Sequence, residues 1–318
     1  MVSASGFKAQ PVMTALLQSK AKSSNLTYMG GWNKWAGWIE ARKGRKWPVC
    51  EIDLALCMVS FIQAGQAETT VLNILSAVLN IQQIFTGTNL KDSGMLKGIS
   101  SYVKRHAVKK DQKREPFSYQ NLIKVANKLD NESDSRVIMI IVAMVVSWFG
   151  FLRYSDVANL RAGDVTFHEK HARLWLRKSK TDQYAEGQAV IIARGTSVID
   201  PVNILESFVT SSDRSGSDFL FCEYRKCKGS IHSYSVNCRK PMSYSIFRSG
   251  ILDQATWLGI DLKGVGTHSM RIGGCSEFTR RGVAESVLDE HGRWRCARSR
   301  RKYQRTMEED LIGMGSVF

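Results

Sequence analysis

Apolar residues recur at the period of an α-helix through the first third of the chain. Four large side chains follow one another at spacings of four, three and four residues: Tyr28, Trp32, Trp35 and Ile39. This spacing places them on one face of a helix that Ser24 or Asn25 would cap, and we expect that face to pack in a core. The same period predicts three more helices, at residues 52–62, 70–85 and 90–106.

The hydrophobic pattern changes twice in the middle of the chain. The polar stretch at 109–116, which Pro116 closes, predicts a linker. Helical periodicity returns at 118–129 and in the strongly apolar segment 135–149. Short β-rich runs separated by polar turns then predict a three-stranded antiparallel sheet, at residues 165–167, 172–177 and 189–193.

The final third has helical signals again. Asp200 is a suitable N-cap, and Pro201 suits a first helical turn. Further helices are predicted at 243–258, 269–281 and 284–290. The predicted fold class is therefore mainly α with a small antiparallel β-sheet, divided into a helical domain at 1–108, a linker at 109–116 and a second domain at 117–318.

The balance of charged residues indicates the class of partner that the protein binds. The 318 residues include 45 Lys and Arg against 29 Asp and Glu, a formal net charge of +16. Such a surplus repels itself unless polyphosphate or an acidic membrane surface neutralises it, and nucleic acid is the leading candidate. Basic clusters at 42–46 and 104–105 suggest that the helical domain grips DNA.

Several classes of protein are disfavoured by composition. The longest apolar run, residues 137–148, is shorter than the ~18–20 residues that a membrane span needs, and the N-terminus lacks a signal-peptide pattern. Seven cysteines without CxxC pairing suggest free thiols in a reducing compartment. We therefore expect an intracellular protein without a membrane span.

Four segments of the second domain carry candidate chemistry. They are GFLRYSDVANL at 150–160, KSKTDQ at 178–183, THSMRIGG at 267–274 and HGRWRCARSRRKYQR at 291–305. Each is ordinary alone, since a cation near a helix end, a lysine in a turn and a tyrosine among arginines are common surface features. Together they supply the candidate residues Arg153, Lys180, His268, Arg271, Trp294 and Tyr303.

These residue types fit cleavage of a DNA phosphodiester without a metal ion. That reaction needs a nucleophile, cationic donors for the non-bridging oxygens and an acid for the departing oxygen. A tyrosine, two arginines, a lysine and a histidine provide all three functions. The glycines at 273 and 274 would let the His268–Arg271 face approach another backbone or a phosphate closely.

The order and spacing of the candidates resemble the tyrosine recombinases of the phage-integrase family. That signature is Arg, Lys, His-x-x-Arg, then His or Trp, then Tyr nine residues later, and Tyr303 follows Trp294 by nine. The segments HSMRIGG and GRW are most similar to the Cre-like branch, which also has Trp at the penultimate site. The N-terminal helices resemble the core-binding domain of the family, so the likeness spans essentially the whole chain.

The resemblance implies a role for each candidate. Arg153 and Arg271 would clamp the scissile phosphate, Lys180 would protonate the leaving 5′ oxygen, and His268 would assist proton transfer. Trp294 would pack or hydrogen-bond at the phosphate, and Tyr303 would attack, leaving a 3′-phosphotyrosyl bond. No metal ion and no organic cofactor is implied. Lys178 competes with Lys180 for the acid role.

The family likeness also implies partners and a setting. These are double-stranded DNA and self-association into a tetramer on DNA, in a mobile element that is eukaryotic, phage or bacterial. The location would be the nucleus in a eukaryote or the cytoplasm in a prokaryote. An apolar stripe after Tyr303 would dock on a neighbouring protomer or pack on its own domain: Met307, Leu311, Ile312 and Met314.

The spacing from Trp294 to Tyr303 carries a conformational prediction. Nine residues of one straight helix turn about 900°, which would place the two side chains on opposite sides. The helix must therefore break between them if they share a site. His291 is a second candidate for the position of Trp294, which the nine-residue spacing favours.

Alternatives remain for one cluster and for the function. Cys222, Cys227, His232 and Cys238 suit a Cys₃His zinc site, although gaps of five, five and six are looser than usual; otherwise this stretch is an insertion loop. A DNA-binding protein that keeps the fold without the chemistry, a type IB topoisomerase and a helical RNA-binding protein are the rival functions.

Overall fold

The computed structural model describes residues 15, 22–109, 113–179, 182, 186–195, 198–226 and 234–305. The chain divides into two compact units, Met1–Asp111 and Gln112–Phe318. Residues 113–116, from the predicted linker, belong to the second unit, where Glu115 N–H donates to the Gly264 carbonyl at 3.2 Å. No helix in the described ranges combines the length and apolar character needed to cross a membrane.

The first unit consists of helices at the positions that periodicity predicts, although the first begins at Lys22, so Ser24 and Asn25 lie inside that helix and do not cap it. They are α1 (Lys22–Glu40), α2 (Glu51–Gln63), α3 (Glu68–Thr86) and α4 (Gly94–His106), with a short 3₁₀ helix at Leu90–Asp92. The apolar stripe of α1 buries Trp35 and Ile39 in the core. A Cβ at Gly31 would lie 2.6 Å from the Ala77 Cβ, so this glycine permits the close approach of α1 to α3.

The second unit begins with helices that lead to a small sheet. These elements are α5 (Tyr119–Asn127), α6 (Ser135–Phe149), α7 (Tyr154–Ala158), β1 (Val165–Phe167), β2 (His171–Leu176) and β3 (Gln188–Ala193). The strands pair antiparallel in the order β1-β2-β3, with Leu174 opposite Val165 and Val190. The three-stranded sheet predicted from sequence is confirmed.

Five helices and a hairpin complete the described part of the second unit. They are α8 (Pro201–Ser211), β4 (Cys222–Lys226), β5 (Tyr234–Pro241), α9 (Tyr244–Trp257), α10 (Thr267–Arg280), α11 (Glu285–Gly292) and α12 (Ala297–Arg301). Asp200 caps α8 by accepting from Val202 N–H at 2.9 Å, and Pro201 occupies its first turn, as predicted.

The expectation of an insertion loop around residue 222 is wrong. β4 and β5 pair antiparallel, with Tyr224 opposite Val236. The hairpin is tied to the core because Phe219 N–H donates to the Cys238 carbonyl at 2.9 Å and Met242 N–H donates to the Phe221 carbonyl at 2.8 Å. Its strands carry many charged and polar residues, so they lack the apolar alternation by which a strand is recognised.

Helix α6 lies at the centre of the second unit. Every residue from Met139 to Trp148 is buried, and α10 packs against this helix. A Cβ at Gly273 would lie 2.7 Å from Trp148 Nε1, and a Cβ at Gly274 would lie 2.9 Å from the Phe151 ring. The paired glycines therefore serve the close approach of α10 to protein, rather than to a phosphate.

Candidate active site

The first turn of α10 carries His268 and Arg271 on one face. Gly266 N–H donates to Ser269 Oγ at 3.0 Å, and Phe117 N–H donates to the Ser269 carbonyl at 2.9 Å. These bonds fix the start of the helix. His268 is exposed whereas Arg271 is fully buried, so the pair reaches from the surface into the interior.

Arg271 is held by backbone carbonyls and lies against two aromatic rings. Its Nη1 donates to the Phe151 carbonyl, and its Nη2 donates to the Gly292 carbonyl at 2.5 Å. The guanidinium carbon lies 4.5 Å from the centroid of the Trp294 ring and 4.8 Å from that of Tyr303. A cation at these distances is attracted to the π faces of both rings.

The chain breaks between Trp294 and Tyr303, as their spacing requires. Helix α11 ends at Gly292, Arg293 adopts a left-handed conformation with φ 56°, and Cys296 is extended before α12 begins. The break brings the Trp294 and Tyr303 ring centroids to 5.4 Å, with their planes inclined by 30°. The conformational prediction is confirmed.

Backbone hydrogen bonds fix the position of Tyr303. Ser276 Oγ on α10 donates to the Tyr303 carbonyl at 3.3 Å and accepts from Arg305 N–H at 2.9 Å. Gln304 Nε2 donates to Thr279 Oγ1, also on α10, at 3.1 Å. The ring is half-buried and its centroid lies 6.1 Å from that of His268. Helix α10 thus positions His268, Arg271 and Tyr303 together.

Arg153 begins helix α7 rather than ending α6, which stops at Phe149. Its N–H donates to Asp156 Oδ2 at 3.0 Å, a bond that closes the first turn of α7. The Nη1 of Arg153 is buried and has no hydrogen-bond partner among the described residues. One donor of this guanidinium is therefore unsatisfied within the described residues.

Positive charge is concentrated where these segments meet. Burial, with repulsion from Arg153 and Arg293, lowers the pKa of Arg271 to about 9. Burial also lowers the pKa of Arg293, although the Asp156 carboxylate opposes that shift. Within the described part of the chain, Asp156 is the carboxylate that pairs with this cluster, at 2.9 Å from Arg293. Three guanidiniums and one carboxylate make a site suited to an anion.

Comparisons with solved structures identify the fold. XerH site-specific recombinase bound to difH substrate, in a pre-cleavage complex, aligns with 92% of this chain and 79% of its own, at 13% identity and TM-score 0.59. A lambda integrase dimer bound to a COC′ core site aligns with 93% and 75%, at 12% identity and TM-score 0.59. The Tn1549 transposon integrase with circular intermediate DNA aligns with 84% and 85%, at 13% identity and TM-score 0.53.

The chain has the fold of the tyrosine recombinases. No protein-family model matches its sequence, and no curated protein does. The likeness establishes the architecture.

The candidates predicted from sequence fall into two sets. His268, Arg271, Trp294 and Tyr303 meet around one point, and Arg153 lies close enough to Arg271 to lower its pKa. Lys180 lies outside the described residues. Its competitor, Lys178, follows β2 and is exposed.

The proposed zinc cluster is only partly described. Cys222 and Cys238 lie on the paired strands β4 and β5 with their Sγ atoms 3.9 Å apart, while Cys227 and His232 lie outside the described residues. Within the described ranges, no group of three or more His, Cys, Asp or Glu side chains is placed to hold a metal ion. Burial raises the pKa of the Cys222 thiol to about 12.

Sequence reasoning gave no role to Arg293, whose charge and flanking arginines are typical of a surface segment. It is 5% exposed. A residue other than glycine at a left-handed position is uncommon, but φ is not readable from a single sequence. The signal available was the run Gly292-Arg293-Trp294 directly after a predicted helix.

His291 contacts the end of α6 rather than Tyr303. Its Nε2 donates to the Phe149 carbonyl at 2.7 Å, and its ring centroid lies 4.7 Å from that of Phe151. Burial lowers the pKa of His291, and the Arg293 and Arg271 charges lower it further, against the opposing effect of the hydrogen bond to Phe149. The imidazole is therefore expected to be neutral in the fold.

We expect a pH-dependent stability from His291. The pKa of His291 in the folded state lies below its unfolded value of about 6.5. The neutral, buried imidazole therefore makes its full contribution to the free energy of unfolding above about pH 6.5, and this contribution is lost as the pH falls through the lower pKa of the folded state. Thermal unfolding followed between about pH 5 and pH 7.5 should show this loss in wild type and a flatter profile in His291→Gln. The exposed His106→Gln variant is the control. Equal slopes in wild type and His291→Gln would contradict the prediction.

Proposed function

We propose that the protein is a site-specific DNA recombinase that cuts and rejoins DNA through a 3′-phosphotyrosyl intermediate. The observation that carries the proposal is the meeting of Tyr303 with Arg271, Trp294 and His268 beside buried guanidiniums that pair with a single described carboxylate. The recombinase fold supports it, since neighbours of that fold were solved bound to DNA.

The proposed first step exchanges one phosphoester for another. The Tyr303 Oη attacks the scissile phosphorus, a bond from phosphorus to the tyrosine oxygen forms, and the bond from phosphorus to the 5′ oxygen breaks. Lys180 donates the proton that makes the leaving group a 5′ hydroxyl, and His268 assists proton transfer by accepting the proton that the Tyr303 hydroxyl loses as it attacks. In the reverse chemistry a 5′ hydroxyl of the partner duplex attacks and Tyr303 leaves, so no external energy source is needed.

The arginines are proposed to neutralise the phosphate. Arg153 offers a buried Nη1 without a described partner. Arg271 offers an Nε that is also buried and has no partner among the described residues. Because Arg271 is fully buried and its guanidinium faces the Tyr303 ring, we expect this ring to move when the phosphate binds. Trp294 lies beside both the Arg271 guanidinium and the Tyr303 ring, and it would keep water from the reacting phosphorus.

Assembly and setting extend the proposal. Recombination of two sites requires four cleavages, so we propose a tetramer on double-stranded DNA. The apolar stripe proposed to join protomers lies outside the described residues: Met307, Leu311, Ile312 and Met314. The motifs HSMRIGG and GRW favour a Cre-like enzyme of a mobile element, acting in the nucleus of a eukaryote or the cytoplasm of a prokaryote.

Strand exchange is the test of the proposed function. Sequencing the DNA that flanks the gene and searching it for inverted or split repeats gives candidate target sites, and a supercoiled plasmid carrying two copies of the true site should yield recombined circles. A relaxed plasmid without exchange would instead indicate a type IB topoisomerase, and binding without either product would indicate a DNA-binding protein of the same fold. Preference for RNA over the duplex would point to an RNA-binding protein.

Cleavage should be independent of divalent metal ions. Guanidinium and ammonium groups would supply the charge neutralisation that a metal provides in other phosphoryl-transfer sites. We expect the rate of covalent protein–DNA formation to be unchanged in excess EDTA. A rate that falls in EDTA and is restored by magnesium would contradict the mechanism.

A further inference from the structure

Arg293 occupies an unusual place for an arginine. It follows the last residue of α11 in the left-handed conformation, with φ 56° and ψ 44°, a region that favours glycine. The residue is 5% exposed, and its Nε and Nη1 have no hydrogen-bond partner among the described residues. A side chain that is buried at a position favouring glycine needs a reason to be there.

The contacts of Arg293 join the two arginines proposed to hold the phosphate. Its Nη2 donates to Asp156 Oδ2 at 2.9 Å and to the Phe151 carbonyl at 3.1 Å. Asp156 Oδ2 also accepts from Arg153 N–H, and the Phe151 carbonyl also accepts from Arg271 Nη1. Arg293 thus shares one acceptor with each of them.

Asp156 carries the buried negative charge that this arrangement must neutralise. Its side chain is fully buried, and its Oδ1 has no hydrogen-bond partner in the described part of the chain. A buried carboxylate without a cation is strongly disfavoured, so on loss of Arg293 it would pair with another guanidinium of the cluster. We expect that partner to be Arg153, three residues before it, because Arg153 Nη1 has no partner among the described residues whereas both Nη atoms of Arg271 donate to backbone carbonyls.

We infer that Arg293 is a positioning residue that pairs with Asp156 and so keeps the Arg153 guanidinium available for the scissile phosphate. The inference rests on the proposed function. Arg293 acts through Asp156, and it does not need to touch DNA. Removing Arg293 would let Asp156 neutralise Arg153, whereas removing both charges would release Arg153 again.

The test is a charge-suppressor experiment on single-turnover cleavage. Arg293→Gly suits the left-handed backbone and removes the guanidinium; Asp156→Asn removes the carboxylate charge while its amide oxygen still accepts from Arg153 N–H. On a nicked duplex that traps the adduct, Arg293→Gly should slow covalent attachment about 10- to 100-fold, with DNA affinity nearly unchanged. The double variant Arg293→Gly/Asp156→Asn should recover to within a few-fold of wild type.

Controls separate this role from folding and from direct phosphate contact. Arg194→Gln removes a guanidinium that pairs with Glu206 at 2.7 Å in another part of the unit, and should leave the rate unchanged. Melting temperatures show whether each variant is folded. If Arg293→Gly is unfolded, Arg293→Asn, which also tolerates a left-handed backbone, replaces it in the same pair of measurements.

The outcomes distinguish a positioning role of Arg293 from direct contact with the phosphate and from failure of the proposed function. A normal rate in folded Arg293→Gly overturns the inference. A slow rate that Asp156→Asn fails to restore also overturns it, and indicates that Arg293 contacts the phosphate itself. If the wild-type protein forms no adduct on its own site, the proposed function fails, and the inference with it.

Discussion

Tyr303→Phe should abolish covalent attachment to DNA. On a suicide duplex nicked near the cut, wild type should accumulate an adduct that resists detergent, because the short 5′ fragment diffuses away and religation is prevented. The variant lacks the Oη that would form the phosphotyrosyl bond, so it should form none. The adduct is measured by its slower migration on a denaturing gel with labelled DNA.

The substitution is a mild one for the fold. The Tyr303 position is fixed by backbone bonds to Ser276 and by its place beside Trp294, and phenylalanine keeps both. Melting temperature and DNA affinity should therefore hardly change. Tyr244→Phe, at an exposed tyrosine on α9, is the matched control and should form the adduct normally. An adduct from Tyr303→Phe would refute the assignment and send the search to Tyr244 and Tyr234.

Periodicity predicted helices such as α1 because one continuous apolar stripe of the helix is buried. Helix α6 is buried on all sides between Met139 and Trp148, and it was predicted from its long apolar segment 135–149, which becomes the helix Ser135–Phe149 at the centre of the core. The sheet was also predictable, because β2 alternates buried Leu174 and Leu176 with exposed Trp175. These are properties of local sequence, where a hydrophobic pattern and a backbone period coincide.

The family motif named candidates that the structure brings together, such as Trp294 and Tyr303, but their contacts were not predictable. The family motif singled out Arg271, but its full burial depends on the carbonyls of Phe151 and Gly292, which lie far from it in sequence. The Arg293–Asp156 pair was missed for the same reason. Charged residues are typical of a surface, and only the fold shows that segments 137 residues apart bury these two together.

The nine-residue spacing is a case where a physical argument from sequence succeeded in full. A straight helix would separate Trp294 from Tyr303, so a shared site demanded a break. The structure has the break at residues 294–296, which are not helical and come directly before α12. Arg293, whose left-handed conformation ends α11 just before Trp294, brings a guanidinium to Asp156.

Arg153→Ala should slow covalent attachment by about 10²- to 10³-fold, the usual effect of losing one charge-stabilising donor in a phosphoryl or acyl transfer site. Its guanidinium has a buried Nη1 with no described partner, so its removal leaves few broken contacts, and the fold should persist.

Arg271→Lys keeps a charge but cannot donate to the carbonyls of both Phe151 and Gly292 as the guanidinium does, so a similar loss of rate should accompany a lower melting temperature.

A duplex with a methylphosphonate at the scissile position tests whether the loss of the cation causes the slow attachment of Arg153→Ala. This group has no negative charge, so an arginine that neutralises the phosphate is no longer needed. The Arg153→Ala rate on this substrate should approach the wild-type rate, while Tyr303→Phe should remain inactive because its nucleophile is absent. If Arg153→Ala is equally impaired on both substrates, Arg153 does not act by neutralising the phosphate, and its effect must come from the turn of α7 that its N–H closes on Asp156.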